Sequence, residues 1–124
     1  KNDLAVPVSC LHKFITDVEK LISKINEKVD LILFGHVGDG NVHVNFSAHK
    51  SLSRKEFVDT VYPLEQELFK LTAKHNGTIS AEHGVGLLKK EHLHYTRSDE
   101  EIMYMRQIKK MFDPKGILNP GKIF

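Results

Sequence analysis

An α+β fold, a ferredoxin-like split βαβ sandwich with an additional C-terminal helix and an irregular tail, is predicted by three features of the sequence. Short apolar, partly β-branched runs and two long helical-period stretches follow one another in the order β-α-β-β-α-β. The two middle strands are joined by Asp39-Gly40, a strong hairpin signal. A third helical stretch and an end punctuated by Pro and Gly complete the chain.

Leu4 to Val8 reads as the first strand, with Pro7 marking an edge position or its last residues. Ser9 is placed to cap the helix that follows. There Leu11, Phe14, Ile15, Val18, Leu21, Ile22 and Ile25 keep a helical period over four turns. Leu31 to His36 and Asn41 to Ser47 are the second and third strands. Ser53 opens a second helix with Phe57, Val61, Leu64, Leu68 and Leu71 on one stripe, stopped near Asn76-Gly77. Thr78 to Ala81 is a short fourth strand. Ser98-Asp99-Glu100-Glu101 is a capping-box pattern. It starts a helix carrying Ile102, Met105, Ile108, Lys109 and Phe112, which ends before Pro114. Asp113 to Phe124 is then an irregular strap. Helices cover one face of such a sheet and leave the other for a partner.

At 124 residues the chain fits one compact domain with a single core. Apolar residues make up 40% and charged ones 27%, an ordinary globular balance. The net charge of +2, with Lys and Glu interleaved, provides no basic stripe for nucleic acid. Cys10 is the only cysteine, which excludes a disulfide framework within the chain and a thiolate metal site; a buried small hydrophobe is expected there. No apolar run approaches the roughly 20 residues that span a membrane. Lys1-Asn2-Asp3 has neither a Met nor an apolar leader, so the chain is expected to begin inside a longer protein or after processing.

The stretch Phe34-Gly-His-Val-Gly-Asp-Gly-Asn-Val-His-Val-Asn-Phe46 carries the first chemistry. A two-residue type I′ turn at Asp39-Gly40 sets Val37 opposite Val42 and His36 directly opposite His43. Leu33, Val37, Val42, Val44 and Phe46 then share a core face, and Phe34, His36, His43 and Asn45 the other. Directly opposed residues have Cβ atoms roughly 5 Å apart, so two imidazoles can converge on one ion. A third ligand is needed. Ser80-Ala-Glu-His-Gly-Val-Gly86 offers one, because Glu82 is a hard-oxygen donor and His83 beside it is a candidate general base. Neighbours on a regular strand point to opposite faces, so both serve one cavity only where the strand breaks. Gly84 and Gly86 make a break feasible. A surface Glu-His on a glycine loop is the plain alternative. His92 and His94 lie in a charged stretch and read as a solvated face, and His12, His49 and His75 have no partner pattern.

Gly35-His-Val-Gly-Asp-Gly-Asn-Val-His43 and Ser80-Ala-Glu-His-Gly-Val-Gly86 together resemble the C-terminal domain of FAD-linked D-2-hydroxyacid dehydrogenases of the vanillyl-alcohol-oxidase type. The resemblance extends to Lys1-Asn-Asp-Leu-Ala-Val-Pro7 and to the closing Met105–Lys122 segment, and so covers nearly the whole chain. It implies that His36, His43 and Glu82 hold a divalent metal, usually zinc, and that His83 is the catalytic base and also contacts substrate. It further implies that Lys1 and Asn45 bind the substrate's carboxylates and that Asn119 touches the cofactor. Ser80-Ala81 is nearer to the hydroxyglutarate branch than to the lactate and glycolate branches, which usually carry Thr-Gly.

By the same resemblance, the FAD lies mainly on an N-terminal domain of the same protein, outside this chain. The isolated chain is then inactive, the electron acceptor unspecified and a homodimer compatible. The location is mitochondrial in a eukaryote and cytoplasmic otherwise. No glycine fingerprint here follows a strand and opens a helix, as a dinucleotide cradle requires. Two rival readings remain: a metallohydrolase, which the isolated chain's hydrolysis would support, and a non-catalytic binding module, which lack of metal in the purified protein would support.

Overall fold

The computed structural model describes residues 1–23 and 29–124; Ile25, assigned above to the first helix, lies outside them. Strands β1 (Asn2–Ala5), β2 (Val29–Phe34) and β3 (Asn41–Ala48) form an antiparallel sheet in the order β1-β3-β2. The fourth strand is reduced to two bridges on the outer edge of β1, Ala5 with Thr78 and Asp3 with Ser80. Ala5 and Thr78 exchange both backbone bonds, at 3.1 and 2.7 Å. Gly77 allows this approach: a Cβ there would meet the Ala5 carbonyl and, at 2.8 Å, the Thr72 methyl. The fold is α+β, as predicted, with its last strand degenerate.

Helices α1 (Leu11–Ile22) and α2 (Arg54–Lys74) cover one face of the sheet. α1 buries Leu11, Phe14, Val18 and Ile22; α2 buries Val61, Leu68, Phe69 and Thr72. They meet Leu4, Val42 and Val44 from the strands in one apolar cluster, completed by Val6 and Ile79. Each fully buried large side chain there contributes roughly 1.5–3 kcal/mol. α2 is opened by the Ser53–Glu56 capping box and continues through Pro63; just beyond its end Asn76 is left-handed (φ 55°). α3 (Asp99–Phe112) is opened by both halves of the Ser98–Glu101 box and stops before Pro114, as the sequence requires.

Several local expectations are corrected. The first strand begins and ends earlier than Leu4–Val8, and Val8–Cys10 is a 3-10 turn that makes Cys10, not Ser9, the N-cap of α1. Cys10 is half-buried rather than buried. β2 likewise starts two residues early, leaving His36 outside it. The hairpin loop is four residues long, not two. His36 and Asn41 exchange backbone bonds at 3.1 and 3.2 Å around a 3-10 turn over Val37–Asp39, with only Gly40 left-handed (φ 68°). Such loops are commonly built on a type I turn. The Gly40 carbonyl oxygen accepts the Val6 N–H at 3.0 Å, a tertiary bond invisible to local turn rules. Val37 consequently sits on the loop and is exposed, not on the core face.

α3 buries none of its residues. Its apolar stripe does not join the core, and Ile108 and Phe112 are exposed beside Met103, Tyr104 and Met111. The tail folds back on it irregularly. Asp113 accepts the Ile117 and Leu118 N–H groups, both at 2.9 Å, and the Lys109 ammonium at 2.5 Å. No helix among the described residues is long and apolar enough to cross a membrane.

Candidate metal and substrate site

The site lies on the sheet face away from α1 and α2. β3 alternates Val42 and Val44 into the core with His43 and Asn45 outward, as a pleated strand must. His43 is paired on both sides: Phe34 of β2 and Asp3 of β1 are its register partners. The Phe34 ring stacks on its imidazole with centroids 4.7 Å apart. This enclosure leaves His43 only 7% exposed.

The four-residue loop shifts the register by two, so His36 lies diagonal to His43 instead of opposite it. A shift of two preserves the face of every side chain. The two rings therefore still meet, edge to face, with centroids 5.9 Å apart. Glu82 closes the trio. Its Oε1 is 3.0 Å from His43 Nε2, and its Oε2 is 3.8 Å from His36 Nδ1. One ligand atom from each of His36, His43 and Glu82 lies within 4.8 Å of the others. Two imidazoles and a carboxylate at that spacing fit a divalent ion such as zinc.

Glu82 and His83 both face this cavity, and Asp3 is the reason. Its Oδ2 accepts the backbone N–H groups of Ala81, Glu82 and His83 at 3.1, 2.8 and 2.8 Å. The chain turns about that oxygen instead of continuing as a strand, and Gly84 and Gly86 follow with positive φ. His83 then sits against the trio, its ring centroid 5.3 Å from that of His43 and its Nε2 3.7 Å from Glu82 Oε1. Its side chain is 66% exposed, open to a ligand.

A cavity of about 570 Å³ collects these groups with Lys1, Asn45 and Lys89. Lys1, Asn45, His36, His43, Glu82 and His83 are thus brought together. Asn119 is not: it lines a separate, apolar hollow between α3 and the tail. His92 packs half-buried on Phe69, 5.0 Å between centroids, and His94 is exposed against Tyr95; neither lines the cavity. His75, read as unpartnered, is buried between the helices with Nε2 3.1 Å from Asp17.

Two groups escaped sequence reading. Burial pushes the Asp3 carboxyl up, but the His83 and Glu82 N–H groups and the Asn41 amide outweigh it and hold it below the usual carboxylate range. Lys89 is the reverse case: burial pulls its ammonium below the usual lysine range against the opposing charges of Asp3 and Glu65. Its Nζ donates to the Ile79 carbonyl at 2.6 Å. The available signal for Asp3 was an acidic residue inside an apolar strand, two positions from Lys1. Its pairing with β3 is long-range and leaves no local trace.

Fold and site together define an α+β module that presents two histidines and a carboxylate, clustered on the sheet face away from α1 and α2. Residues 1–123 match the family of FAD linked oxidases, C-terminal domain, and the chain belongs to that family. It is 40% identical over 124 residues to a D-2-hydroxyglutarate dehydrogenase of Stutzerimonas stutzeri, covering all of this chain and 27% of that protein. A mitochondrial D-2-hydroxyglutarate dehydrogenase of Arabidopsis thaliana is 39% identical over 124 residues, covering 99% of this chain and 21% of the relative. A Schizosaccharomyces pombe protein provisionally named as a mitochondrial D-lactate dehydrogenase is 36% identical over 130 residues, 98% and 24% covered. The chain spans about a quarter of the length of the curated relatives it matches.

Proposed function

We propose that this chain forms the metal- and substrate-holding part of an FAD-dependent enzyme that oxidises a D-2-hydroxy acid to the 2-oxo acid, with D-2-hydroxyglutarate favoured. The observation that carries the reading is the convergence of His36, His43 and Glu82 within 4.8 Å, with His83 alongside. Those three residues would hold a divalent ion, zinc in the first instance. A bound ion supplies Lewis acidity, which lowers the pKa of a hydroxyl beside it.

His83 stands next to the trio but outside it, and is placed to take the 2-hydroxyl proton as general base. Asn45 and Lys1 hold the acid in one orientation, which contributes geometry rather than chemistry. Lys89 adds a second ammonium to the same cavity. A dicarboxylic substrate uses both cations and D-lactate only one, which supports the hydroxyglutarate reading over the lactate reading. Among the described residues none forms a cradle for a dinucleotide. The flavin is therefore assigned to an N-terminal domain of the same protein, within the greater length that the relatives possess, and no residue here is given a part in accepting the hydride. In a eukaryote this reading places the protein in the mitochondrion.

The test is metal content. Purified protein should carry one zinc-like ion per chain by elemental analysis, and His43→Ala should abolish stoichiometric binding. Full metal retained in His43→Ala moves the site elsewhere, with His92 and His94 the first residues to examine.

A further inference from the structure

The cavity contains a carboxylate that is itself shut away from any ligand. Asp3 is only 3% exposed, yet both of its oxygens are engaged. Oδ2 takes the three consecutive N–H groups of residues 81–83, and Oδ1 takes the Asn41 side-chain amide at 2.7 Å. An ionised carboxylate offers about four lone-pair sites, so four N–H donors nearly saturate it. Asp3, His43 and His83 also bring ligand atoms within 4.8 Å of one another. Saturation argues against an ion there, because binding would compete with N–H donors that already fill the carboxylate.

We propose that Asp3 is the positioning residue of this site, the anion around which residues 81–83 turn so that Glu82 and His83 enter one cavity. The inference rests on the metal reading above for its consequence, but the turn itself is a property of the chain. Burying a carboxylate is unfavourable unless charge-assisted bonds replace its water. Here those bonds are the consecutive backbone donors of the functional segment, so the fold has placed the cost where it orders the site. The same charge lies 3.8 Å from His43 Nδ1 and 3.7 Å from His83 Nδ1. These distances are too long for hydrogen bonds, so Asp3 acts on both rings as a fixed charge.

Two substitutions separate anchorage from charge. Asp3→Ala removes both; Asp3→Asn keeps one acceptor oxygen for the turn but discards the charge. In the full-length protein, Asp3→Ala should weaken zinc binding on the order of 10- to 100-fold, the usual loss when a residue supporting a ligand is removed. It should alter the visible spectrum of the cobalt-substituted site and speed amide exchange at residues 81–83 alone. Asp3→Asn should retain slow exchange there, with a smaller loss of affinity. Wild-type affinity and cobalt spectrum in a folded Asp3→Ala protein overturn the proposal. Where Asp3→Ala does not fold, Asp3→Asn decides: unchanged zinc affinity together with an unchanged cobalt spectrum overturns it. A wild-type protein that binds no zinc defeats the metal reading instead; faster exchange confined to 81–83 in Asp3→Ala then still upholds the role of Asp3.

Discussion

Glu82 and His83 are adjacent in sequence yet differ in what surrounds them. Glu82 reaches His43 and His36 with its two oxygens, whereas the His83 ring is 66% exposed. On the proposed division, in the full-length enzyme Glu82→Gln loses metal and activity together, since a neutral amide is a poorer ligand than a carboxylate. His83→Asn keeps its metal and near-normal substrate affinity while kcat falls on the order of 10²- to 10⁴-fold, the worth of a positioned base. Metal analysis and steady-state kinetics on both variants decide it, and loss of metal from His83→Asn with retention in Glu82→Gln exchanges the two roles. The sequence displayed these residues well because their spacing within short motifs is local. It concealed Asp3, whose donors are some 80 residues away in the chain, and it concealed the Asp17–His75 pair for the same reason.

At the scale of the element, the hairpin shows what a periodic pattern can and cannot convey. Alternation in β3 assigns His43 and Asn45 to the outer face whatever the turn. The loop type, in contrast, is settled by Gly40 packing on Val6 at the end of β1, a contact outside the hairpin. Since the resulting slip was two residues, the face of His36 survived a wrong turn. A slip of one would have sent either its ring or that of His43 toward the helices. The loop glycines should therefore respond unequally. Gly40→Ala places a side chain at positive φ and against the Val6 carbonyl, and should cost well over 1 kcal/mol. Gly38→Ala meets nothing within 4 Å and should stay within about 0.5 kcal/mol of wild type. Denaturant titration of both variants measures the contrast, and equal stabilities contradict the packing described for Gly40.

Across the whole molecule, apolar surface is distributed unevenly. The face of the sheet toward α1 and α2 is closed, while Ile32 and Phe34 on the other side and much of α3 remain exposed. The sequence expected a sheet face left for a partner. The helical period of α3 is equally legible, yet none of its residues is buried. Periodicity reports that a helix has an apolar side, not what covers it. With no dinucleotide cradle among its described residues, the purified chain should be colourless and inactive toward D-2-hydroxy acids. A flavin absorbance band that copurifies with these 124 residues contradicts the assignment of the cofactor to another domain.

The tail returns to the site at one point, where the Ile123 N–H donates to the Gly86 carbonyl at 2.9 Å. Ile123 is left-handed (φ 73°), a conformation that costs a side chain of this kind about 1–2 kcal/mol. Gly86 in turn lines the cavity. The strap is thus fastened, at a strained residue, to the wall of the chamber in which His83 stands. Reciprocity would govern any ligand of that wall: by whatever factor its binding steadied the fastening, the fastening would tighten its binding by the same factor.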